Sequence, residues 1–196
     1  MPILALLVAQ AIVATPPCAH DRARLMALDQ PAFDQDMTGG WRALAMAGCD
    51  SAAADLIRDW RAAHTGADMP NPGILFWHEG QLRANAGQTA AAIALFDRSR
   101  KTAAEDAGFG WNLYVDGSIA FLRRDRAGFD RARATLAVLP RPAGFDPRGP
   151  DGKPVTVRWP MNLNVLDGFR RCWDRPYKEA YTCATPMRRV VVPPAK

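Results

Sequence analysis

Between residues 40 and 140 the chain repeats one plan three times, and this repetition constrains the fold more than any other feature. Each unit is an apolar helical run, a short turn, and a second helical run, at a spacing of roughly 38–40 residues. The first unit is GGWRALAMAGCDSAAADLIRDWRAA. Trp41, Leu44, Ala45 and Gly48 share one face, Gly48-Cys49-Asp50 form the turn, and Ala53, Leu56, Ile57 and Trp60 share the next. Asp50 or Ser51 can cap the second helix. HTGADMPNPG at 64–73 breaks both regular periods with two prolines, two glycines and an asparagine. GILFWHEGQLRANAG and QTAAAIALFDRSRKTAAED then form the second unit. WNLYVDGSIAFLRRDRAG and FDRARATLAVL form the third, closed by Pro140. Ahead of the array, AHDRARLMALDQPAFDQD places Ala23, Met26, Ala27 and Phe33 on one side, with Pro31 interrupting the helix.

The expectation is a mainly α fold of antiparallel hairpins stacked as a short solenoid. In such an array each hairpin buries a face on its neighbour and none is stable alone. Within QLRANAGQTAAAIALF, Gly80 and Ala92 are small where two helices approach, Gly87 makes the turn, and Phe96 plugs into the next unit.

Gly80, Gly87, Ala92 and Phe96 stand at the small, turn, small and aromatic positions of the tetratricopeptide repeat, which the second hairpin resembles. The third hairpin matches at Ala120, Ala132 and Leu136 but lacks the turn glycine. The first matches loosely through Trp41, Leu44 and Ala54, and the closing proline is missing from the second. The resemblance implies a concave groove that binds a peptide or a partner's helix, without catalysis. Carried onto this sequence, the groove positions are Trp77, His78, Gln81 and Asn85, with Tyr114, Ser118 and Arg124 from the third hairpin. Trp77 is also readable as a core residue on an Ala-rich helix. The Lys and Asn pattern of the carboxylate-clamp subclass is absent.

Residues 141–196 read differently. GFDPRGPDGKP at 144–154 is a turn-dense link, VTVRW at 155–159 alternates like a strand, and RRVVV at 188–192 reads as a second strand. MNLNVLDGFRRCW is a short helix with Leu163, Leu166, Phe169 and Trp173 on one face. The segment is either a cap for the array or a small separate module. It holds eleven Lys and Arg against five Asp and Glu, whereas residues 1–140 are close to neutral. Arg170, Arg171, Arg175, Lys178, Arg188 and Arg189 form its basic patch. Such a patch attracts an anionic envelope polymer or membrane surface, the second functional reading. No aromatic-interleaved motif accompanies it, so no nucleic acid is expected.

MPILALLVAQAIVA at 1–14 carries no charged side chain and has the length of a signal-peptide hydrophobic region, with small residues at Ala9, Ala11 and Ala14. The alternative is a buried first helix. TPPC at 15–18 lacks the residues that precede a lipoprotein cysteine, and no other stretch suits a transmembrane helix. Four cysteines remain after a cut near Ala14. In an exported chain these imply two disulfides, with Cys18–Cys49 and Cys172–Cys183 favoured because each pair brackets one local unit. The second would close WDRPYKEAYT, read as a loop too polar to hold itself by burial. No C-x-x-C or H-x-x-x-H spacing supports zinc. G-x-S-x-G, P-loop and H-E-x-x-H patterns are missing as well, so no cofactor and no enzymatic activity are expected. The reading is an exported, periplasmic protein that binds a protein or peptide; a small envelope hydrolase is the third and weakest alternative.

Overall fold

A computed structural model describes residues 18–149 and 152–184. The apolar run 1–14, the 188–192 stretch, Arg188 and Arg189 lie outside the described residues.

The chain enters through α1 (Arg22–Met26), capped by the Asp21 carboxylate, which accepts from the Arg24 amide at 3.0 Å. Pro31 then converts the helical pattern into a single π-helical turn, Pro31–Gln35. Three antiparallel hairpins follow: α2 (Arg42–Met46) with α3 (Asp50–Ala63), α4 (Pro72–Asn85) with α5 (Thr89–Arg98), and α6 (Trp111–Arg123) with α7 (Arg126–Ala137). The loop between the first two carries a 3-10 turn, Gly66–Asp68. Asn71 opens α4 by accepting from the Ile74 amide, and Pro72 stands at its first position, where a missing N–H costs nothing.

The hairpin turns have one mechanism. The residue after the first helix must be left-handed, and Gly48 and Gly87 adopt φ of 81° and 75°. In the third hairpin Arg124 takes that place at φ 58°. The missing glycine is therefore a change of residue, not of turn. The left-handed backbone costs an arginine about 1 kcal/mol. Its guanidinium offsets this by donating to the carbonyls of Trp173 and Arg175, the latter at 3.1 Å.

Helices α3, α4 and α5 pack in series, and α6 packs on α7. A Cβ at Gly80 would stand 2.6 Å from the Phe96 ring, so the close approach expected there is real. The core divides into two clusters. One runs from Leu25 and Phe33 to Leu82, and the other from Trp77 to Ala180. Ile74 packs against both.

In the C-terminal segment the residues of VTVRW alternate between half-buried and exposed, as the pattern implies, and the stretch expected to pair with them, 188–192, lies outside the described residues. Thr156 within VTVRW takes part in a bridge, and an isolated antiparallel bridge joins Arg148 and Pro154. VTVRW is held by side chains: Trp159 donates to the Leu139 carbonyl at 2.8 Å and packs with Phe109 and Phe145. The segment departs from expectation at WDRPYKEAYT. It folds as α9 (Tyr177–Thr182), with Tyr177 and Ala180 buried. It follows α8 (Leu163–Arg171), whose Leu166 and Phe169 are fully buried. Helix α8 packs on α6 and α7, and α9 on α8 and α4. Gly117 of α6 admits Leu166, since a Cβ there would lie 2.8 Å from that side chain.

Two disulfides staple this structure, Cys18–Cys49 and Cys172–Cys183, with Cα separations of 5.6 and 6.4 Å. Two bridges are the pattern of an oxidising, exported environment. Among the described residues no helix is long and apolar enough to cross a membrane.

Candidate functional site

The stripe His78, Gln81, Asn85 runs along one face of α4, as its spacing dictates. The other expected groove residues sit elsewhere. Trp77 is buried, with ring centroids 4.3 Å from Phe96, 5.0 Å from Trp111 and 4.7 Å from Tyr114. Tyr114 is buried as well, and so is Ser118, whose hydroxyl donates back to the Tyr114 carbonyl. These three are core residues, because Trp77 of α4 and the α6 face that carries Tyr114 and Ser118 pack into the second cluster instead of facing solvent. Arg124 stands at the hairpin turn and grips the chain that leads into α9.

Helix α9 lies against the stripe. Asn85 and Lys178 converge on the Asp50 carboxylate, at 3.1 and 2.6 Å. The Tyr177 ring packs against Phe96, Phe121 and Phe169, and its hydroxyl is buried without a hydrogen-bond partner among the described residues. Burial pushes the Tyr114 and Tyr177 phenols well above their usual range, and Tyr181 adds to both shifts. The face that the resemblance assigns to a partner thus carries a short helix of the chain itself.

At the other end of the stripe sits a cluster that sequence reading missed. Asp34, in the π-helical turn, is fully buried. Its carboxylate accepts from the Trp41 indole at 2.8 Å, from the Gln35 amide, and from His78 Nδ1 at 2.6 Å. Arg42 donates to the Asp34 carbonyl at 3.1 Å and stacks over Trp41 at 4.2 Å. Burial by itself would raise the Asp34 pKa, but the His78 hydrogen bond and charge, with Trp41 and Arg42, outweigh it and hold the group below the usual aspartate value. Burial also lowers Arg42, opposed by the charges of Asp34 and of Tyr181 on α9. No sequence spacing signals the cluster, since Asp34 and His78 are 44 residues apart. An ionised Asp that orients a His is half of a proton-transfer device. Among the described residues no hydroxyl or thiol is hydrogen-bonded to His78 to complete one, and no group of three metal-ligating side chains exists.

The described part of the basic patch is mostly engaged. Lys178 pairs with Asp50, Arg175 with Glu179, and Arg171 donates to the Cys183 carbonyl; Arg170 is exposed. Large hydrophobic side chains exposed among the described residues are Met37, Met46, Val138 and Tyr181, with Met37 and Met46 each 71% exposed. Met46 follows Arg42 by one helical turn on α2 and so shares its face. Comparison with known proteins returns no family model, no curated protein and no solved structure that matches this chain.

Proposed function

We propose that the chain is an exported, non-catalytic helical-repeat protein that binds another protein or peptide at the α2 end of the face crossed by α9. A tetratricopeptide-like stacking of its hairpins, an N-terminal signal segment and a periplasmic location belong to the same reading. The observation that carries it is the surface around Arg42. A half-buried guanidinium has the exposed Met46 on its own helix face and is acted on electrostatically by the exposed Tyr181 of α9. A flexible methionine and a tyrosine near an arginine make an adaptable apolar contact with one charged anchor. The partner then offers an apolar side chain next to a carboxylate. Helix α9, seated on the adjoining part of the face, supports the view that this surface accepts helical ligands.

The test is a photo-crosslinking amino acid placed at Met46 in the full chain, expressed in its native cell, with Val138 as the control for an exposed apolar position. One discrete protein adduct from position 46, none from 138, and loss of the adduct on Arg42→Glu are the expected results. Equal labelling from both positions, or an adduct indifferent to Arg42→Glu, overturns the assignment.

A further inference from the structure

The connection from α5 to α6, residues 99–110, is held by a dense set of side-chain hydrogen bonds. Asn112 grips both backbone groups of Lys101, accepting from its amide at 3.0 Å and donating to its carbonyl at 2.9 Å. Thr102 donates from its amide and hydroxyl to Glu105, at 2.9 and 2.8 Å. Asp106 accepts from the Trp111 and Asn112 amides, at 2.6 and 3.0 Å. The Trp111 indole donates to the Ser99 carbonyl at 2.8 Å.

This fixed loop faces the start of α4 across a cavity of about 290 Å³, walled in part by Gly73, Phe76, Arg98, Lys101, Glu105 and Trp111. The volume is at the small end of the range for ligand sites. Two of its cations are held on aromatic faces: the Arg98 guanidinium is 4.0 Å from the Phe76 centroid and the Lys101 ammonium 5.3 Å from that of Trp111. Neither forms an ion pair among the described residues, whereas Arg100 beside them is tied to Asp97 and Asp116. A cation pressed on a ring has lost water on one side and keeps its polar edge for an anion.

We propose that this cavity binds a small monocarboxylate, with Arg98 and Lys101 receiving the carboxylate. Glu105 sets the charge of the ligand. Its carboxylate shares the wall, is fixed by Thr102, and repels a second negative charge. The site is independent of the partner face described above.

The test uses the full chain labelled with nitrogen-15, titrated with acetate, benzoate and inorganic phosphate against sodium chloride at matched ionic strength. The Trp111 indole cross-peak, identified by its loss in Trp111→Phe, is the readout. The expected result is saturable movement with a carboxylate and at least tenfold weaker binding in both Arg98→Gln and Lys101→Gln, with the other cross-peaks in place. Movement that tracks ionic strength alone, or that survives in both variants, overturns the site. Phosphate that saturates as tightly as the carboxylates overturns the selection by Glu105.

Discussion

A carboxylate without solvent exposure stays ionised at Asp34 because His78, Trp41 and Gln35 all direct donors at it. Its pKa is depressed in the folded chain. In the unfolded chain it titrates near the ordinary value of about 3.9. Between those values the unfolded state binds more protons, so stability falls as pH drops. The contribution is fully present above about pH 4 and disappears as pH falls through the lower folded value. Asp34→Asn removes one partner of a buried pair and is expected to cost about 3 kcal/mol at pH 7. Urea unfolding at pH 7 and pH 3 should show the gap between wild type and variant narrowing in acid. A gap that stays constant would mean that Asp34 is not ionised in the fold. Arg124 gives a second contrast. Arg124→Ala keeps the left-handed strain and loses both carbonyl contacts, whereas Arg124→Gly loses the contacts and relieves the strain. The glycine variant should therefore be the more stable of the two by about 1 kcal/mol, measured by the same unfolding.

The two disulfides anchor different elements. Cys18–Cys49 ties the residues before α1 to the turn before α3 across 31 positions, and Cys172–Cys183 brackets α9 across 11. On chain entropy, removing either should cost about 2–4 kcal/mol, the longer loop about 1 kcal/mol more than the shorter. Thermal unfolding of the paired Cys→Ser variants checks the order, and a larger loss at Cys172–Cys183 would show that α9 depends on its bridge for more than loop closure. The hairpins were legible in the sequence because a 3.6-residue period, Gly48, Gly87 and Gly80 each report a local requirement. Helix α9 was legible only in part. Tyr177, Ala180 and Tyr181 do make an i, i+3, i+4 stripe, but the polar residues between them hide it in so short a run. The alternation of VTVRW was legible as well, while the stretch expected to pair with it lies outside the described residues. The Asp34 cluster was invisible because it depends on a π-helical turn meeting a helix 44 residues away.

At the scale of the whole molecule, two apolar clusters meet at α4, where Ile74 belongs to the margin of both and Glu79 is buried between Arg61 and Arg83. Helices α8 and α9 are part of the second cluster and not an appendage to it. Val165, Leu166, Phe169 and Tyr177 are among its buried members, Phe169 stacks on Phe121 at 4.5 Å, and Leu166 fills the space left by Gly117. Ending the chain at residue 149 strips those four side chains from the core. At about 1.5–3 kcal/mol each, the loss is about 6–12 kcal/mol, comparable with the whole stability of an ordinary domain, about 5–15 kcal/mol. It also uncovers the phenyl ring of Phe121 and the Tyr114 side chain on α6. The truncated chain is expected to bind a hydrophobic dye, to lose its cooperative thermal transition and to associate in solution, while the full chain does none of these. A truncated chain that still melts cooperatively within a few degrees of the full one would make residues 150–196 a separable module and would leave α9 as a ligand tethered to the face, free to be exchanged for another.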